Sequence, residues 1–227
     1  MFQEILDWLE VWALFIPLII LIRKRKQAGY LKPVIIYLWL ALIINLFAII
    51  SWRFKAHHDF PVWYQTNTYF YNIHSIVRFF LFSLFFIKLK QAFLSTLKKI
   101  IPVLFAIFVI INFAFFEKFF DFNLLTSRIS SRLLALEAGL LLLYCLQFYL
   151  YLIKEEEPFF VKLPSFWVVT GLSIFVVIGF PIYLFYDAAV VHSKDFIVNI
   201  WVVQKTAFLI FCLFIANAFR LSNEPKL

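Results

Sequence analysis

The sequence is poor in the residues that build soluble catalytic centres. It has four histidines and two cysteines in 227 residues, and only 15% of its residues are charged. A seven-helix zinc hydrolase needs several membrane-facing histidines and an acid, and of the four histidines only His74 falls in an apolar run. Cys145 and Cys212 both lie inside apolar runs and read as buried free thiols, not as a disulfide. Glycine is scarce, with 4 residues against 32 phenylalanines. The net charge of +8 does not indicate nucleic acid binding, because the basic residues are parcelled between apolar runs and form no continuous patch.

What is abundant is apolar surface. Hydrophobic residues make up 64% of the chain, and the mean hydropathy is +0.92. A soluble domain is about half apolar, so this composition calls for lipid as solvent. The runs are continuous, without period-two alternation, which favours helices over a barrel. Seven spans are expected: 5–22, 33–51, 68–87, 100–116, 130–153, 164–186 and 196–219. Each is close to the length that crosses about 30 Å of hydrocarbon, and together they leave no room for a soluble domain. The expected fold is an all-α membrane protein, a seven-transmembrane-helix bundle.

Lys and Arg set the expected orientation. Arg23, Lys24, Arg25, Lys26, Lys32, Lys88, Lys90, Lys98, Lys99, Lys154, Lys162, Arg220 and Lys226 fall on one side, against Arg53, Lys55, Lys118, Arg128 and Lys194 on the other. The richer side should be cytoplasmic, which puts the N-terminus outside and the C-terminus in the cytoplasm. Glu4, Asp7 and Glu10 precede the basic run Arg23–Lys26, the charge order of a retained first helix and not of a cleaved signal peptide. Pro17, Pro102 and Pro181 lie within spans as expected kinks. The run Glu155, Glu156 and Glu157 reads as a solvated loop.

Three charges stand out deep inside spans: Arg78 in the third, Glu137 in the fifth and Lys205 in the seventh. Such charges pair or line a wet cavity. All three spans enter from the outside, so the charges should share one depth and could form a single outward-facing chamber. The competing reading is a structural Arg78–Glu137 ion pair. His74, one turn before Arg78, extends a polar stripe with Asn72 and Ser75. Arg132, Tyr183, Asp187 and Trp201 lie toward the same side and complete the candidate site. Weak metal candidates are His57, His58 and Asp59 in the first outer loop and His192 in the last, and their spacing matches no ligand motif. No cofactor is indicated. Lys205 could form a retinal Schiff base, but the residue one turn earlier is Trp201 and the third span offers Arg78 where a counterion is needed.

Tyr71-Asn72-Ile73-His74-Ser75-Ile76, Leu136-Glu137, Ser165-Phe166-Trp167, Phe180-Pro181 and Ile200-Trp201-Val202-Val203 resemble an uncharacterised family of small seven-helix membrane proteins from Bacteroidetes. That family often carries an acid where this chain has Arg78. Similar seven-helix units occur as membrane sensors linked to histidine kinases. The resemblance therefore implies a receptor-like sensor in a bacterial inner membrane. It would bind a small extracellular or membrane-dissolved ligand and signal to a separate cytoplasmic protein such as a histidine kinase. A transporter or lipid-handling protein is the alternative, and it requires polar residues continuing into the inner half of the bundle. An intramembrane enzyme or a structural subunit of a membrane complex ranks behind both.

Overall fold

An apolar run in lipid must satisfy its own backbone amides, and a helix does so within one segment. The computed structural model describes residues 8–24, 26–55, 68–89, 91, 94–116, 129–156, 159–186 and 194–222. Among them lie seven α-helices and no strands: α1 Leu9–Arg23, α2 Lys32–Lys55, α3 Thr68–Lys88, α4 Ser95–Ile111, α5 Ser131–Lys154, α6 Pro164–Leu184 and α7 Lys194–Leu221. Six of these, α2 to α7, are long and apolar enough to cross a membrane. The described part of α1 is shorter, at 15 residues. The chain thus has the helices of a multi-pass membrane protein.

Proline marks starts and interiors as expected. Pro164 opens α6, where its missing amide would have had no partner. Pro17, Pro102 and Pro181 lie inside α1, α4 and α6. Two boundaries differ: α2 runs to Lys55, past the expected Ser51, so Arg53 and Lys55 belong to the helix and not to a loop, and α4 begins at Ser95, upstream of the expected Ile100, so Lys98 lies in the helix and not in a solvated loop. Lys98 is buried, and its Nζ donates to Gln91 Oε1 at 2.7 Å. The Tyr144 hydroxyl donates to the Lys98 carbonyl at 2.8 Å. A neutral acceptor and an apolar stem therefore hold a lysine that hydropathy alone assigns to water. After Ile111 the helix widens into a π turn, Asn112–Phe116.

The helices form a ring. α1 packs on α2, α2 on α3, α3 on α5, α5 on α6, α6 on α7, and α7 returns to α1. α4 stands outside the ring against α3, and Ile100, Val103, Leu104, Ile107 and Ile110 point outward from it. At Gly171 α6 and α7 approach closely: an added Cβ would lie 2.6 Å from the Phe214 Cβ. Small residues at such crossings let backbones approach where lipid supplies no hydrophobic drive for association. At the basic end, α1 and α7 are clasped. Lys24 Nζ donates to the Arg220 carbonyl at 2.7 Å, and the Ala28 amide donates to Ser222 Oγ at 3.1 Å.

The interior toward that end is aromatic. Phe82 meets Tyr37 at 5.1 Å and Phe211 at 5.6 Å between ring centroids. Phe86 stacks on Tyr144 at 5.0 Å, and Phe79 lies 3.9 Å from Phe105. Cys145 and Cys212 are buried free thiols, as their placement in apolar runs had indicated.

Candidate functional site

Arg78 and Glu137 face each other from α3 and α5. Arg78 Nε donates to Glu137 Oε1 at 2.5 Å and Nη2 to Oε2 at 2.7 Å, a two-pronged pair. Ser75, one turn before Arg78, donates to Glu137 Oε2 at 2.5 Å. The Glu137 side chain has no exposure, so this acid belongs wholly to the pair. The guanidinium also lies over the Phe175 ring at 4.8 Å, and Arg78 faces the hydroxyls of Tyr37 and Tyr183.

On the side away from Glu137, Arg78 borders a cavity of about 20 Å³. Five helices line it. α1 contributes Glu10 and α2 contributes Asn45. Tyr71 and His74 join Arg78 from α3, Phe175 and Tyr183 come from α6, and Trp201, Gln204 and Phe208 come from α7. His74 stacks on Tyr37 with ring centroids 5.6 Å apart, and its Nε2 is 3.2 Å from the Tyr37 hydroxyl. Gln204 Nε2 donates to the Tyr183 hydroxyl at 2.8 Å. Gly179 permits that placement: a Cβ there would lie 3.1 Å from the Tyr183 ring and 3.2 Å from the Gln204 amide.

The third charge departs from the expected convergence. Lys205 does not join the Arg78–Glu137 pair; it is half-buried and close enough for its charge to act on Glu10. The Tyr71 hydroxyl points to Glu10 Oε2 at 3.4 Å. The sequence reading takes Glu10, with Glu4 and Asp7, only for the charge order of a retained first helix. Glu10 supplies a second acid, so two cations, Arg78 and Lys205, share the region with two acids, Glu137 and Glu10.

Other expected members are placed elsewhere. Asn72 accepts the Ser130 amide on its Oδ1 at 3.0 Å, and Asn112 Nδ2 donates to Ser130 Oγ at 3.0 Å, so these groups fasten the start of α5. Arg132 is exposed and stacks on Phe116 at 4.8 Å, outside the cavity. Trp201 does line the cavity and packs on Tyr71 at 5.5 Å. Asp187 and the metal candidates His57, His58, Asp59 and His192 lie outside the described residues. Among the described residues no group of three His, Cys, Asp or Glu could hold a metal.

Asn45, Tyr71 and Gln204 join Glu10 as cavity residues that sequence reasoning missed. The usable signal was polarity inside an apolar run: Gln204 adjoins Lys205, and Asn45 stands alone between Ile44 and Leu46.

Comparison with known protein families, with curated proteins and with solved structures returns no match for the chain.

Proposed function

We propose that the protein is a seven-span membrane sensor of a bacterial inner membrane, with its N-terminus outside, that reads the occupancy of this chamber at its cytoplasmic face. The observation that carries the reading is the convergence of five helices on one small polar cavity. An occupant held by five helices has a different affinity for each arrangement of them, which is the requirement for a ligand to shift a conformational equilibrium. The α1–α7 clasp joins two of the lining helices at the basic end, where a separate signalling protein such as a histidine kinase would read the shift. The resemblance to the Bacteroidetes seven-helix proteins supports the same reading. The passage that a transporter needs is filled on that side by the rings of Phe82, Phe86, Tyr144 and Phe211.

A thermal-stability screen of the detergent-purified protein against small polar and amphiphilic compounds tests this. A cognate ligand at a hundred times its Kd raises Tm by roughly 5–10 °C, from a linkage term of about 2.7 kcal/mol. The shift should vanish in Gly179→Val, which drives the Tyr183 ring and the Gln204 amide into the chamber. If no compound separates the two proteins, the sensing reading fails; uptake of a hit into liposomes would replace sensing by transport.

α1 is proposed as the seventh crossing. It presents Trp12, Phe15 and Ile19 outward while Val11, Leu14 and Leu18 are buried against its neighbours. With the N-terminus outside, Gln3→Cys reacts with a membrane-impermeant maleimide in intact cells, and Glu155→Cys reacts only after lysis. The buried thiols of Cys145 and Cys212 keep the background low. The opposite labelling pattern would invert the topology.

A further inference from the structure

Two of the amide groups that line the chamber are incompletely bonded. Asn45 Nδ2 and Gln204 Oε1 are fully buried and have no hydrogen-bond partner among the described residues. The two residues are 4% and 3% exposed, one on α2 and one on α7, and both border the same cavity. One atom is a donor and the other an acceptor, and no hydrogen bond joins the two side chains. A buried amide left unbonded is costly, and native interiors satisfy such groups with protein or with ordered water.

The volume and charge of the cavity narrow what can satisfy both. About 20 Å³ exceeds the roughly 10–15 Å³ that one water requires and falls far short of a drug-sized ligand. The Arg78 guanidinium on the cavity wall is already paired with Glu137. An added ion would compete with that pair, and it would bear the desolvation cost of burial. An anion offers Asn45 an acceptor but Gln204 no donor. A cation such as ammonium offers the reverse.

We infer that the chamber binds one uncharged, water-sized molecule that bridges Asn45 and Gln204, accepting from the first and donating to the second. Water meets these requirements, and so does a minimal hydroxyl or primary-amide compound. The inference deepens the sensing reading by naming the class of occupant, but it stands on the two amides and does not need a signalling partner.

The test is a double-mutant cycle with the near-isosteric apolar replacements Asn45→Leu and Gln204→Met, read as Tm in detergent. Each single variant strands the bridging molecule with one partner and lowers Tm by roughly 2–8 °C. The double variant should fall short of the sum by at least about 2 °C, because residues without a direct bond couple only through something they share. Asn45→Leu combined with Asn112→Leu is the control. Asn112 Oδ1 is also buried and unbonded, but Asn112 lines no part of this cavity, so that pair should add. Additive losses for Asn45 and Gln204 overturn the inference. Formamide, formate and methylammonium then identify the occupant by the Tm difference between wild type and double variant. A selective rise with formamide assigns a neutral solute, and coupling without any rise assigns water; both uphold the bridge. A selective rise with formate or methylammonium overturns it. If the coupling holds while the ligand screen is blank, the bridge stands and sensing fails.

Discussion

Arg78→Met lowers the unfolding free energy of the detergent-solubilised protein by about 3–5 kcal/mol, and Glu137→Leu lowers it by a similar amount. The cost lies mainly in the partner left behind. Without Arg78, the Glu137 carboxylate keeps only the Ser75 hydroxyl in a site with no access to solvent. Without Glu137, the guanidinium keeps its contact with Phe175 and the tyrosine hydroxyls but loses its counter-charge. The double variant Arg78→Met/Glu137→Leu should recover much of the loss, since two apolar side chains of similar length strand no charge. Chemical denaturation of the four proteins measures the coupling. Losses that simply add would mean that each charge is satisfied by other groups and that the pair does not join α3 to α5.

The pair was legible in the sequence because two opposite charges in apolar spans have few ways to be accommodated. Its geometry was only half legible. Arg78 is both a member of a sealed pair and a wall of the chamber, so the two competing readings each describe one side of the same guanidinium. Glu10 was missed because a carboxylate near Glu4 and Asp7, ahead of an apolar run, has the pattern of a solvated helix end. It enters the interior because α1 lies against α7, a contact between opposite ends of the chain that no local pattern encodes. The position of α4 outside the ring was hidden for another reason. In a helix that is apolar all round, the protein-facing and lipid-facing sides have the same composition. The positions of α2 to α7, by contrast, followed from hydropathy, apart from the end of α2 and the buried Lys98 at the start of α4.

Gly171→Ala is expected to cost about 1–3 kcal/mol, although it adds one methyl group and replaces a poor helix former with a good one. The new Cβ would meet the Phe214 Cβ at 2.6 Å, the Phe211 ring at 3.2 Å and the Phe211 carbonyl oxygen at 3.3 Å. Neither the Phe214 Cβ nor a carbonyl can turn aside by changing a rotamer, so α6 and α7 must separate. Gly139→Ala provides the contrast. Its Cβ would meet only the edge of the Phe180 ring, at 3.3 Å, which can tilt away, so that variant should be neutral or slightly more stable through helix propensity. Equal stability of the two alanine variants would show that the α6–α7 crossing is not close-packed at Gly171. Because Trp201, Gln204 and Phe208 lie on α7, the loss at Gly171 should also weaken any ligand found by the screen.

The ring of helices closes between its first and last members, and this constrains the order of synthesis. Glu10 is made 195 residues ahead of Lys205, with five spans between them. At about 5–20 residues per second, the interval is roughly 10–40 s. If α1 is the seventh crossing, as proposed, it must during that time wait beside the bilayer with an unneutralised carboxylate, or enter with that carboxylate protonated, or lodge against the insertion machinery until α7 arrives. A nascent chain stopped before Lys205 should therefore hold α1 less firmly in the membrane than the finished protein does.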